Sequence, residues 1–197
     1  MGNFTKSVSI KEIEQVIDQM RGLYLGFFES VISDGVSGKT EFEVLLLNQD
    51  NSPVFSGELG ARMRVDAIEE GSFVHIASAQ MLSYGVLVAE YGSQSMKLEL
   101  EEFTWESCAL QLPYETPDLG ALLLEWFEDY FGSARSGKTG FLNVLHFMSD
   151  PFTDVDALTW IEIDFGSAPT MAFWDLVNIL HDQGYSSVRI SQSPESE

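Results

Sequence analysis

Residues Gly132-Ser133-Ala134-Arg135-Ser136-Gly137-Lys138-Thr139 match the phosphate-loop pattern G-x-x-x-x-G-K-[ST] at every position. In such a loop the backbone N–H groups cradle phosphates, the lysine reaches the outer oxygens, and the threonine hydroxyl holds Mg²⁺. Gly132, Gly137, Lys138 and Thr139 would then be the cofactor-binding residues. The chemistry needs a strand before the loop and a helix after it. Here the preceding residues have a helical pattern and Phe141 to Met148 reads as a strand, which reverses that order. Nucleotide binding is therefore the second alternative rather than the leading reading.

Other reactive residue types are scattered. His75, His146 and His181 fall in three different elements, and none lies three or four residues from another His or from a Cys, so no metal is assigned from spacing. Cys108 is the single cysteine, which excludes an internal disulfide and fits a reducing compartment. No Ser-His-Asp constellation stands in a recognisable context. Carboxylates are too abundant for any pair to be nominated as an acid–base couple. The sequence therefore points away from an enzyme and assigns no catalytic residue and no cofactor.

Acidic residues beside aromatics offer a different chemistry. Glu99, Glu101, Glu102 and Glu106 surround Trp105, and Glu125, Glu128 and Asp129 surround Trp126 and Tyr130. Carboxylates next to exposed aromatic rings suit a basic, partly apolar protein partner. With Asp+Glu 31 against Lys+Arg 10, the net charge is −21. Such a surface repels phosphate backbones and anionic lipid, so direct nucleic-acid and membrane binding are not expected.

The elements that carry these residues repeat. Shifted by 99 positions (122 − 23), residues 23–47 fall on 122–146. The shift aligns Leu23 with Leu122, Phe28 with Phe127, Glu29 with Glu128 and Phe42 with Phe141, and Ser37-Gly38-Lys39-Thr40 with Ser136-Gly137-Lys138-Thr139. A second match at offset 92 (184 − 92) sets Gly92, Ser95 and Lys97 against Gly184, Ser187 and Arg189. Two copies follow, 1–113 and a shorter 114–197, expected to pack as a pseudo-symmetric pair.

Each copy begins with a helix. Ile10, Ile13, Ile17, Met20, Tyr24, Phe27 and Val31 make one apolar stripe after a capping box at Ser9 and Glu12, with Gly22 and Gly26 as places for a kink. Thr116-Pro117-Asp118 reads as the start of the second copy's helix. Strands are expected at 42–46, 58–66, 72–77 and 157–164, and further helices at 78–91 and 170–183, the last framed by Pro169 and Gly184. Met96 to Glu101 alternates with period two, Cys108 to Leu112 is its hairpin partner, and Ser191 to Glu197 is a polar, frayed tail. Antiparallel strands with helices to one side make the fold class α+β.

No apolar run approaches the ~20 residues of a membrane span. The first residues lack a signal pattern, so a cytoplasmic location is expected. The order helix, three strands, helix, two strands, helix over about residues 10–132, with Met96 to Glu101, then Ala109 to Pro113, then the helix from Asp118, resembles the acidic type III secretion chaperone-like fold. The resemblance implies binding of extended or unfolded protein segments by a dimer. This chain departs from that pattern by continuing into a second copy, so a monomer with an internal pseudo-dimer stands beside a homodimer. The leading expectation is a non-catalytic protein-binding chaperone or adaptor. The alternative is an acidic inhibitor or immunity protein that neutralises a basic toxin or mimics nucleic-acid charge.

Overall fold

The capping box at Ser9 forms as its spacing predicts. In the computed structural model, which describes residues 5–33, 40–76, 82–132 and 141–193, Ser9 N–H donates to Glu12 Oε2 at 2.9 Å and Glu12 N–H donates to Ser9 Oγ at 3.3 Å. Strand β1 (Thr5–Ser7) precedes this cap, and helix α1 (Ile10–Ser33) follows it. The helix passes Gly22 and Gly26 without the expected break. Its buried stripe is Ile13, Ile17, Met20, Tyr24 and Phe28, whereas Phe27 is 38% exposed. A strict 3,4 repeat averages 3.5 residues per turn and drifts against a 3.6-residue helix. Two consecutive four-residue steps restore the phase and bring Phe28 inside.

Short strands come next: β2 (Glu41–Leu45), β3 (Phe55–Ser56), β4 (Ala61–Arg62), β5 (Arg64–Glu69) and β6 (Ser72–Val74). They form a three-stranded antiparallel sheet, β2-β5-β6, and a ribbon of β3 with β4. Then follow β7 (Val86–Tyr91), β8 (Met96–Leu100), β9 (Cys108–Leu112), α2 (Leu119–Phe131), β10 (Phe147–Met148), β11 (Phe152–Thr153), β12 (Thr159–Asp164), α3 (Thr170–Asp182) and β13 (Ser187–Gln192). The larger sheet runs β1-β7-β8-β13-β9-β12-β10, with β11 paired to β12. Its alternation is strict: Met96, Leu98 and Leu100 are buried while Lys97 is exposed and Glu99 half-buried. The inward residues of β8, β9, β12 and β13 share one core with the buried faces of all three helices. The architecture is α+β.

Strand β13 lies between β8 and β9, parallel to the first and antiparallel to the second, so strands from 1–113 and 114–197 share one sheet. Phe42 and Phe141, aligned by the 99-residue offset, both pack on Phe28, with ring centroids 5.8 and 5.1 Å apart.

Five expectations are corrected. Cys108 to Leu112 is not the hairpin partner of Met96 to Leu100, because β13 inserts between them and pairs with both. Residues 86–91 are strand β7, not the end of a helix; Gly85 and Gly92 take φ +70° and +68°, and Val86 and Val88 suit a pleated strand paired with β1 on one side and β8 on the other. The part of that expected helix at 77–81 lies outside the described residues. Phe141 to His146 is buried but irregular, because Asn143 takes φ +58° and side-chain acceptors replace ladder partners. Thr116 does not cap α2: its N–H meets Tyr185 Oη at 3.3 Å, and Asp118 stands at the helix start. Ser191 and Gln192 continue β13, and Gln192 Oε1 accepts Thr104 N–H at 2.9 Å.

Among the described residues no helix is long and apolar enough to cross a membrane. The central place of β13 is testable by urea unfolding. Ile190→Ala should cost about 2–5 kcal/mol, the range for emptying a filled core position. Arg189→Ala, on the same strand but facing an exposed ion pair with Glu99, should cost less than about 1 kcal/mol. Equal costs would place the strand at an edge.

Candidate functional site

The first acidic cluster is dispersed by the fold. Glu99 is held by Lys97 at 2.6 Å and by Arg189 at 2.9 and 2.6 Å. Glu101 lies 3.5 Å from Arg189 Nε. Glu102 accepts bonds from Ser83 Oγ and from the N–H groups of Tyr84 and Gly85, which draw its pKa below the ordinary carboxylate value. Trp105 and Glu106 belong to no exposed face. The chain turns through the Thr104–Ser107 bridge, and Trp105, 1% exposed, stacks on Phe165 at 4.5 Å and donates to Gly166 O at 3.0 Å. Glu106 is buried as well.

The second cluster comes together. Glu125 and Asp129 stand one turn apart on α2 and, with Asp175 of α3, rim a groove of about 350 Å³. Its floor is Leu122, Trp126, Tyr130 and Ile179, and no lining residue is basic. The helix faces meet here because Trp126 Nε1 donates to Ala172 O at 2.9 Å. Tyr130 Oη donates to Asp175 Oδ2. Burial, then the Asp175 carboxylate, hold the Tyr130 pKa above its ordinary value. Glu128 leaves this groove and pairs with Arg62 instead.

Gly132 closes α2, donating its N–H to Glu128 O at 2.9 Å. Gly137, Lys138 and Thr139 lie outside the described residues. A helix precedes the loop and irregular chain follows it, so the strand–loop–helix context of a phosphate site is not formed by the described flanks.

The structure also assembles a site that the sequence does not announce. Glu43 and Asp66 stand opposite each other in the β2–β5 register, between the pairs Phe42–Ala67 and Val44–Val65, and each is 2% exposed. Facing carboxylates repel. The fully buried His146 lies between them, with Nε2 3.2 Å from Glu43 Oε1 and Nδ1 3.1 Å from Asp66 Oδ1. Asp164 Oδ2 is 3.7 Å from the same Nδ1. That Nδ1 is within ion-pair distance of Asp66, yet the carboxylate is not aligned with it for a hydrogen bond.

Every other contact fixes this geometry. Glu43 also accepts bonds from Ser167 Oγ and from Leu142 N–H at 2.5 Å, and Arg64 Nη1 donates to its backbone carbonyl at 2.8 Å. Asp66 accepts Tyr24 Oη at 2.6 Å and Ile76 N–H at 2.8 Å, and its Oδ2 lies 3.0 Å from the half-exposed His75. Gly166 takes φ +49°, and a Cβ there would stand 2.3 Å from the His146 ring, so only glycine fits. Burial alone would raise the Asp66 pKa, but the neighbouring His146 and His75 rings and the bond from Tyr24 hold it well below the carboxylate range. Burial alone would lower the His146 pKa, but Asp164, Asp66 and Glu43 raise it well above the ordinary value. The partners come from positions 43, 66, 146, 164 and 167, so local spacing carries no signal of them; the alternation of Phe42, Val44 and Leu46 puts Glu43 on the polar face of its strand, whereas the fold buries it.

Comparisons with family models, with curated proteins and with solved structures give no match for this chain.

The two opposed shifts set a pH window. Asp66, depressed in the fold, contributes stability above its unfolded value of about 3.9, which is lost as pH falls through the folded one. His146, raised in the fold, contributes fully below about 6.5 and loses that contribution as pH rises through its folded value. Both are whole between about pH 4 and 6.5. Breaking the pair by Asp66→Asn should cost about 3 kcal/mol in that window. The difference from the native chain should shrink as pH is lowered below 4; a pH-independent difference in urea midpoints would refute the assignment.

Proposed function

We propose that this chain is an acidic, non-catalytic protein-binding protein of the cytoplasm, a chaperone or adaptor. It would hold a basic, partly apolar segment of its partner in the α2–α3 groove. The observation that carries this reading is the groove itself, where Glu125, Asp129 and Asp175 ring the Trp126–Tyr130 floor without a basic lining residue. A cationic side chain can reach the rim while its aliphatic stem or a neighbouring apolar residue covers the floor.

The distribution of basic residues supports it. Six of the ten Lys and Arg are engaged within the fold: Lys6 with Glu12, Arg21 with the Ala168 and Ser167 carbonyls, Arg62 with Glu128, Arg64 with the Glu43 carbonyl, and Lys97 and Arg189 with Glu99. The remaining excess of acid can be neutralised only from outside. The same rim supports the alternative, an inhibitor that covers a basic toxin surface, and salt separates the two. An inhibitor associates fast with a steep salt dependence, whereas a chaperone that seats apolar side chains is less affected by salt.

The probe is a labelled peptide alternating Lys or Arg with Leu or Phe, titrated by fluorescence anisotropy. Glu125→Lys with Asp129→Lys should weaken it at least about tenfold, equivalent to ~1.4 kcal/mol. Glu90→Lys, exposed on β7, serves as the control and should change affinity far less. No binding, or equal weakening by the control, removes the groove from consideration.

A further inference from the structure

The buried cluster around His146 does not belong to the groove, and its chemistry goes beyond protein binding. A carboxylate accepts hydrogen bonds and donates none when ionised. The Nε2 of His146, 3.2 Å from Glu43 Oε1, therefore carries hydrogen and donates to it. The opposite nitrogen, Nδ1, is fully buried, has no hydrogen-bond partner, and faces Asp66 and Asp164. Two carboxylates facing one buried ring nitrogen call for positive charge between them, either the ring's own proton or a cation that displaces it.

We propose that His146 Nδ1, Asp66 and Asp164 bind one divalent first-row transition-metal ion, of which Zn²⁺ is the type. One ligand atom from each of the three lies within 4.8 Å of the others. Bonds of about 2.1 Å from a tetrahedral ion place neighbouring ligands about 3.4 Å apart. The two separations from Nδ1, 3.1 and 3.7 Å, bracket that value. Two carboxylates and a neutral imidazole together carry a charge that matches a divalent ion. The nitrogen donor favours Zn²⁺ and its neighbours over Mg²⁺ or Ca²⁺, which prefer all-oxygen sites.

The surrounding bonds are those of an outer shell. Glu43 orients the histidine through its second nitrogen, the role a carboxylate takes behind metal-ligating imidazoles. Tyr24 Oη and Ile76 N–H fix Asp66, and Gly166 N–H fixes Asp164 Oδ1 at 2.8 Å, leaving Asp164 Oδ2 turned toward His146. The cluster meets solvent on the Asp164 side. The Asp164 side chain is 17% exposed and lines a cavity of about 220 Å³ shared with Glu106 and Glu162, an acidic mouth that concentrates cations. Three protein ligands leave a fourth position for solvent or for a small ligand arriving from that side.

The test uses the whole chain, stripped with chelator and titrated with Zn²⁺ alone by calorimetry, with Co²⁺ as an optical probe. One Zn²⁺ per chain is expected, together with a rise in the unfolding temperature and visible Co²⁺ bands of tetrahedral intensity. Asp164→Asn, at the partly exposed ligand where folding is least at risk, should abolish the Co²⁺ bands and weaken Zn²⁺ at least about 100-fold. Glu43→Gln should weaken it about 10–100-fold, the usual effect of an outer-shell carboxylate. Three results would each overturn the proposal: no Zn²⁺ bound by the native chain, binding that both substitutions leave unchanged, or Mg²⁺ bound as tightly as Zn²⁺. The Co²⁺ spectrum of the native chain decides the matter even if neither variant folds, since weak octahedral bands alone would also refute it.

Discussion

Two carboxylates buried opposite one another at the β2–β5 junction constrain more of this fold than any other feature. Removing an ion from water still costs several kcal/mol after relaxation, and even a neutral buried carboxyl needs partners, so the buried side chains of Glu43 and Asp66 depend on donors that meet them. Those donors come from everywhere: Tyr24 on α1, Ile76 after β6, Leu142 and His146 in the irregular segment, and Ser167 before α3. The small sheet, the large sheet and the longest helix must therefore all be placed together before the full set of bonds is made. Glu43 accepts a further cost, since its φ of +51° lies in the left-handed region that non-glycine residues enter at about 1–3 kcal/mol. Its carboxylate bonds hold it there.

The junction also explains what could be read from the sequence and what could not. Local devices were legible: the Ser9–Glu12 capping box, the alternation of Met96 to Leu100, and α3 between Pro169 and Gly184. Each depends on neighbours within a few residues. Phe28 was misplaced because a 3,4 stripe loses phase over six turns. Residues 86–91 were misread because the apolar run Val86 to Ala89 fits a helix or a strand equally, and only pairing with β8 decides. Phe141 to His146 looked like a strand because it is mostly apolar, yet the N–H groups of Leu142 and Val144 are claimed by the Glu43 and Ser167 side chains. The cluster itself was invisible for the same reason: its members meet only after long-range folding.

The two acidic clusters separate on a different principle. Glu99, Glu102 and Glu128 each have donors inside the fold, so their charge is accounted for by structure. Glu125 and Asp129 are like charges one helical turn apart, which costs an isolated helix a few tenths of a kcal/mol. Asp175 adds a third carboxylate across the same groove. A rim that lowers stability slightly while framing an aromatic floor is what the proposed binding of a basic segment would use. Screening over roughly 8 Å at physiological salt keeps the cost small and lets the groove coexist with the rest of the surface.

Whether a proton or a metal ion sits at His146 Nδ1 changes how the fold is held together. A proton supplies one charge among Glu43, Asp66 and Asp164, with Arg64 and His75 contributing from the periphery. A divalent ion supplies two and gives Asp66 and Asp164 a common bonding partner. The three ligands are separated by 80 residues (146 − 66) and 18 residues (164 − 146), so the unfolded chain cannot hold them together. Free energy of binding at that point is then free energy of folding, and it acts on the contacts that join β5 to the irregular segment and to β12. The α2–α3 groove lies on the helices, and its rim and floor residues take no part in the His146 network, so the two proposed sites share no residue.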